Sequence, residues 1–328
     1  MKYAKFIKFS GVLFVLLLVP VSLWALEFDY SEGAVYRYQI SINLTQDNIF
    51  ISTDNVAADS GQLTLKSDFL LCLTIRVLEN VEGDYARISC TYDSLSGRIA
   101  STDGEIPEAI NIKVLRDSIE IRLAESLVAV YPPQSEADQT VRDYYERLLF
   151  IGEPIELTVY PTGEIININT NKNLWQQAHD FIGLNGEGIL NIKLPDNSDN
   201  NRWVQSIDIQ SLGMIKLKKA VDPLELTFTN NPGAQRIEFA GLLEINNYIT
   251  PATIMDLNDE FRISINNTVL SRNGSAAYHG RKIIIDKLEF KTALTGDITL
   301  NGENNTSYQT ALKLNNINSI KYELIGSN

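Results

Sequence analysis

Cysteine and histidine are almost missing from this chain, whose 328 residues hold only two of each. Cys72 and Cys90 are too few for a disulfide framework, and with so little histidine they cannot complete a structural zinc site. His179 and His279 stand in no metal-binding spacing such as H-E-x-x-H. Asp180, the neighbour of His179, points elsewhere on a helix and cannot orient it as a base. Gly183, Gly186 and Gly188 are spaced too irregularly to cradle a phosphate, and no P-loop lysine follows them. Asp196, Ser198 and Asn200 start like a calcium loop, but Asn201 replaces the turn glycine and Ile207 the bidentate glutamate. The expectation is a protein without catalytic chemistry, cofactor or metal. A carboxylate pair for glycoside hydrolysis is defined by distance in space, not spacing in sequence, so a hydrolase stands last among the readings.

Basic residues are also scarce, at 28 Lys+Arg against 41 Asp+Glu and a formal net charge of −13. Three of the lysines, Lys2, Lys5 and Lys8, precede an apolar run from Gly11 to Leu23 that is interrupted only by Pro20 and Ser22, with Ala25 at the cleavage position. This is the pattern of a secretory signal peptide, residues 1–25, and the run is shorter than the ~20 apolar residues of a spanning helix. No cysteine stands near the cleavage point, which removes a lipoprotein reading. Cleavage leaves 25 basic against 41 acidic residues, a net charge of −16. Such a field repels phosphate backbones, and no basic stripe reverses it, so nucleic acid is not an expected partner. The expected location is periplasmic or extracellular.

What the chain has in abundance is alternation. Tyr36, Tyr38, Ile40, Ile42 and Leu44 share one face of a strand whose other face holds Arg37, Gln39, Ser41 and Asn43. Phe69, Leu71, Leu73, Ile75 and Val77 lead through an Asn80–Gly83 turn into Ala86, Ile88, Cys90 and Tyr92, a β-hairpin. The run Leu70-Leu71-Cys72-Leu73 is apolar at successive positions, which predicts a strand covered on both faces. Aligning the apolar faces of the hairpin pairs Leu73 with Cys90 and sends the two thiols to opposite sides of the sheet, so no intrachain disulfide is expected. Further strands are read at Ala109–Val114, Ile119–Val130, Ile155–Tyr160, Ile165–Asn169, Gly188–Leu194, Ser206–Lys218, Leu224–Thr229, Arg236–Asn246, Phe261–Asn266, Lys282–Phe290, Asp297–Asn301 and Ser307–Leu314.

Three helices are read. Ser135 and Asp138 form a capping pattern ahead of an apolar stripe that includes Val141, Tyr144 and Leu148, giving a helix to Phe150. Leu174, Ala178, Phe181 and Ile182 share a face ahead of Gly183, and Thr250-Pro251 opens a helical turn through Leu257. The segment from Glu153-Pro154 to Val159 resembles that from Asp222-Pro223 to Phe228, which raises an internal duplication against ordinary β-strand grammar.

The fold class expected is mainly β: antiparallel strands in a large curved sheet, sandwich or open barrel, with two or three short helices. Pro132-Pro133 divides residues 26–133, an N-terminal β region, from residues 134–328, a C-terminal β region beginning with a helix, unless the two form one continuous domain. The leading functional expectation is an exported, non-catalytic β-protein acting by binding or structure, with other envelope proteins among its partners. The first alternative is a carrier of an apolar ligand or lipid, held between the Val141, Tyr144 and Leu148 stripe and the sheet. The second is an outer-membrane β-barrel, against which stand the helices and a carboxyl end without a terminal aromatic residue.

Overall fold

The computed structural model describes residues 26–52, 60–101, 109–123, 126–131, 148–182, 192–195, 201–212, 215–254, 260–280, 282–302 and 309–328. The signal pattern, Pro132-Pro133, Val141 and Tyr144 of the first helix, the glycines from Gly183 to Gly188, and Asp196–Asn200 lie outside the described residues.

Among the described residues, seventeen strands form one antiparallel sheet that is not closed. In chain order they are β1 (Val35–Ser52), β2 (Ser60–Val81), β3 (Tyr85–Ser101), β4 (Ile110–Leu115), β5 (Ser118–Leu123), β6 (Ser126–Tyr131), β7 (Ile155–Val159), β8 (Ile165–Ile168) and β9 (Arg202–Ile207). The remainder are β10 (Ser211–Leu212), β11 (Ile215–Leu217), β12 (Leu224–Asn231), β13 (Arg236–Ile245), β14 (Tyr248–Ile254), β15 (Glu260–His279), β16 (Ile284–Gly302) and β17 (Gln309–Ser327). One α-helix, α1 (Lys172–Ile182), and one 3-10 turn at Pro232–Ala234 occur among the described residues.

Six strands of 17 to 22 residues form the spine, in the order β3, β2, β1, β17, β16, β15. Each half of the spine is a meander built from one end of the chain, and the pairing of β1 with β17 joins them. Both outermost spine strands fork. β3 pairs with β7 through Ala86–Cys90 and with β4 through Ser94–Ile99, while β15 pairs with β14 through Glu260–Ile265 and with β13 through Thr268–Ala277. Each fork falls at a break in register, where an unpaired residue bends the strand and lets its two halves diverge. On β15 the break holds Asn267 at φ 48°, and the Asn246 and Asn266 side chains each accept a backbone N–H from the opposite turn, at 3.0 and 3.2 Å.

Several strand readings change. Ile119–Val130 is two strands, β5 and β6, folded on each other, and Ser206–Lys218 is divided among β9, β10 and β11. Phe261–Asn266 is the beginning of the 20-residue β15, and Lys282–Phe290 and Asp297–Asn301 belong to the single strand β16. Of Gly188–Leu194, the described residues Ile192–Leu194 are not in a strand. The expected turn of helix at Thr250-Pro251 is strand β14 instead. Thr250 and Ala252 are buried on one face, and Pro251 sits just past the end of the short β11, where its carbonyl still accepts the Lys218 N–H at 3.0 Å and its missing N–H costs only the last bond of the pairing. The hairpin register is offset by two residues, with Leu73 opposite Tyr92 and Ile75 opposite Cys90, because β2 runs on to Val81 and the turn lies at Glu82–Asp84. An offset of two preserves faces. Cys90 is buried on the inner side, Cys72 is half-buried on the other, and both are free.

Pro154 and Pro223 both stand immediately before strands. The strands hold different places, with β7 between β3 and β8 and β12 between β13 and β9. The two segments share a local grammar but not a position in the sheet.

Candidate functional site

The inner face of the spine is built by alternation, and its two parts differ in chemistry. Toward the chain termini it is apolar and tyrosine-rich: Tyr38, Ile40, Leu71, Leu73, Ile88, Tyr92 and Tyr322 are all buried. Burial, with the Asp29 carboxylate alongside, raises the Tyr36 phenol to about 12, and burial alone pushes the Cys90 thiol to about 12. The phenols of Tyr38, Tyr92 and Tyr322 are raised well beyond their ordinary value, chiefly by burial.

The cover over this region lies on the inner side. Leu148, Leu149 and Phe150 form a turn whose Leu148 is buried in the core. Phe150 packs edge-on against Tyr92 at 5.4 Å and tilted against Phe181 of α1 at 5.7 Å. Phe181 in turn meets Phe69 of β2 at 5.3 Å. The helix is held in place from its entry, where Asn171 at φ 55° donates from its side-chain amide to the Pro154 carbonyl at 2.7 Å. This corrects the expectation that β2 is covered on both faces: Leu70, on the outer face, is 39 % exposed. Of the three side chains expected to meet an apolar ligand, Leu148 is in the core beside the sheet, and Val141 and Tyr144 are outside the described residues.

Farther from the termini a cross-strand row of rings crosses the inner face. Trp203, Phe228 and Phe239 stack in register on β9, β12 and β13, with centroids 5.2 and 5.1 Å apart. The next position in the row is Gly274 of β15, followed by Phe290 of β16, 6.5 Å from Phe239. A Cβ on Gly274 would come within 2.5 Å of the Phe239 ring, so glycine there lets the rings close over the strand. The row continues through Ile320, Ile42 and Phe69.

One step further along the same face the side chains become polar while staying buried. Arg272, Thr292, Asn318 and Ser67 lie in one row on β15, β16, β17 and β2, interrupted on β1 by the half-buried Leu44, and Gln46 faces Asn316 in the next row. Arg272 is 2 % exposed. Its Nε donates to Thr292 Oγ1 at 2.9 Å, its guanidinium lies 5.4 Å over the Phe290 ring, and burial lowers its pKa to about 10. Asn48, Asn316 and Asn318 are 3 %, 2 % and 3 % exposed, and the Oδ1 atom of each has no hydrogen-bond partner among the described residues. Leaving a buried acceptor unpaired costs ~1–3 kcal/mol.

Sequence reasoning passed over these residues, yet a signal was there. Gln46 and Asn48 continue in phase with Tyr36 to Leu44. Asn316 and Asn318 interrupt the apolar series Leu312, Leu314, Ile320 and Tyr322, and Arg272 sits in phase between Leu270 and Ala276. A polar residue at an in-phase position of a long amphipathic strand is the mark of a buried polar site. His279, by contrast, is an exposed residue paired with Asp286 at 2.6 Å.

No known protein family matches the chain, and no curated protein matches its sequence. Among solved structures, the chain is similar to a lipovitellin described for its lipid–protein interactions, at 9 % identity and a TM-score of 0.44 over 92 % of this chain and 26 % of that one. An outer-membrane channel from Pseudomonas putida F1 overlaps 93 % of this chain and 99 % of its own at 12 % identity and a TM-score of 0.26. OccK2 from Pseudomonas aeruginosa overlaps 82 % and 65 % at 7 % identity and a TM-score of 0.18. The chain spans about a quarter of the length of the lipovitellin chain, and overlaps of this size assign neither family nor function.

Proposed function

We propose that the protein is an exported, non-catalytic binding protein whose inner sheet face holds an amphiphilic, lipid-like ligand. The carrying observation is the set of three buried amide oxygens on Asn48, Asn316 and Asn318, without a hydrogen-bond partner among the described residues and set beside an aromatic and aliphatic surface. Such atoms need hydrogen-bond donors from within the interior. A hydroxyl- or ammonium-bearing head group supplies them, while its chain lies along the ring row and gains ~0.8 kcal/mol for each methylene buried. This refines the expectation of a purely apolar ligand. The outer faces of the spine strands support a water-exposed protein over a membrane barrel. They carry Arg37, Asn43, Lys291, Asp297, Lys313 and Glu323, where a barrel requires an apolar band against lipid.

Native mass spectrometry of protein purified from the exported fraction without detergent tests the reading. The expected result is a co-purifying amphiphile, released by organic extraction and rebound at least roughly tenfold more weakly by the Asn316→Leu/Asn318→Leu variant, the size of one lost hydrogen bond in an apolar site. Ligand-free protein whose melting temperature is unmoved by added amphiphiles would overturn it, as would waters bridging the three amides in a high-resolution structure.

A further inference from the structure

The opposite side of the same sheet carries a second feature, independent of the ligand proposed for the interior. A trough of about 970 Å³ is sunk into the outer face of β12, β13, β15, β16, β17 and β1, and the strand register defines its floor. One outward row runs Thr227, Ala240, Asn273, Lys291, Ser319, Asn43, each residue opposite the next on the neighbouring strand. A second row beside it runs Arg202, Thr229, Glu238, Ser275, Glu289, Lys321. The trough therefore runs across the strands, and with strands ~4.8 Å apart its five spacings from β12 to β1 extend over about 24 Å.

Its charge is opposite to that of the protein. The two acids are already matched on their own strands, Glu238 by Arg236 at 3.1 Å and Glu289 by Lys287 at 2.7 Å, and Lys321 is matched by Glu323 at 2.6 Å. Arg202 and Lys291 line the same trough and make no ion pair among the described residues. Two cations without an ion pair among the described residues, four strand spacings apart, thus stand in a chain of net charge −13.

We propose that this trough binds an anionic oligosaccharide. A ligand lying across the strands meets side chains only, because the backbone amides beneath it are engaged in the ladder. That geometry excludes a peptide added as a further strand, which requires a free edge. The side chains offered are hydroxyls and amides on Thr227, Thr229, Asn273, Ser275, Ser319 and Asn43, which exchange hydrogen bonds with sugar hydroxyls. Arg202 and Lys291 then meet carboxylates or sulfates spaced along an extended chain. The length of the trough suits such a chain better than a single small anion.

Calorimetric titration at low ionic strength tests the proposal, using an oligogalacturonate, a sulfated oligosaccharide of equal length, the fully methyl-esterified and hence neutral oligogalacturonate, and poly-glutamate of matched charge. At least one of the two acidic sugars should saturate a single site. The neutral ester and poly-glutamate should bind roughly tenfold more weakly or worse. Arg202→Glu/Lys291→Glu should abolish sugar binding. Asn273→Ala/Ser319→Ala, which leaves the charge unchanged, should weaken the sugar and leave poly-glutamate unaffected. These positions are on the outer face, so circular dichroism should show both variants folded. Failure of both acidic sugars to bind, equal binding of poly-glutamate, or unaltered binding by the charge-reversed variant would each overturn the proposal.

Discussion

Tyr36 to Leu44 and Gln46 to Asn48 belong to one strand and one face, and both stretches are largely shielded from water, yet the first is a hydrophobic core and the second is not. From Tyr38 to Ile42 every residue opposite on this face of the two neighbouring strands is apolar or aromatic. In the second stretch, amides, hydroxyls and a guanidinium are brought together, with three of the acceptors unfilled among the described residues. Alternation of side chains therefore decides which residues are enclosed, and residue chemistry decides whether the enclosed space is satisfied by its own walls. The apolar half is satisfied by its own walls; the polar half, on the function proposed above, is completed by its ligand.

Raising the pH should break the tyrosine half first and give the largest effect. Tyr36, with an ordinary value of 10.0, is held at about 12, and Tyr38, Tyr92 and Tyr322 are raised as well. Above pH 10 the unfolded chain releases these protons while the folded chain keeps them. Stability is then fully present below that pH and is lost as pH rises through the folded values. Cys90, raised from 9.0 to about 12, adds the same sign from slightly lower pH. Cooperative alkaline unfolding is expected, with phenolate absorbance from the buried tyrosines appearing together with the loss of β-structure. Their titration near pH 10 in a protein that stays folded would contradict the assigned burial.

Paired truncations sharpen the contrast at smaller magnitude. Leu71→Ala, at a fully buried position of the apolar half, should cost ~2–5 kcal/mol in urea unfolding, because the surrounding strands cannot collapse into the space. In the polar half the sign reverses. Asn318→Leu in ligand-free protein should stabilise by about 1–2 kcal/mol, since it removes an unpaired acceptor and adds apolar burial. A destabilising Asn318→Leu would mean that the amide is satisfied in the free protein and that the polar half is as complete as the apolar one.

The hairpin, stretches of the long strands and helix α1 were legible because period-2 and period-3.6 patterns are properties of consecutive residues, but β15 was read only to Asn266, β16 as two strands and β17 only to Leu314. The fork points were not, since a strand that divides between two partners looks locally like one that does not. Thr250-Pro251 was misread for a related reason: the short β11 that lets a proline sit in the sheet lies more than thirty residues earlier. The covering of Leu70 was misplaced because apolar character at consecutive positions does not say which face receives a cover. The polar half of the inner face was missed because polar residues in strands are ordinarily assigned to solvent. Only knowledge of strand pairing places Asn318 beside Thr292 and Thr292 beside Arg272.

The two cysteines offer the smallest effect and a check on the register itself. Cys90 is buried opposite Ile75 on the inner face, while Cys72 is half-buried opposite Ser94 on the outer face. A disulfide needs Cβ atoms ~4 Å apart, and a sheet separates side chains on its two faces whatever the even offset in register. Two thiols should therefore be counted in unreduced, denatured protein, and adding a reductant should leave the urea midpoint unchanged. In the native state Cys72 should react with a thiol reagent far faster than Cys90, whose thiol is buried and whose thiolate is disfavoured by that burial. Equal rates, or a single disulfide-linked species in the mass spectrum, would require β2 and β3 to pair one residue out of the observed register. That slip would turn Leu71, Leu73 and Ile75 out to solvent and remove the core on which the contrast between the two halves rests.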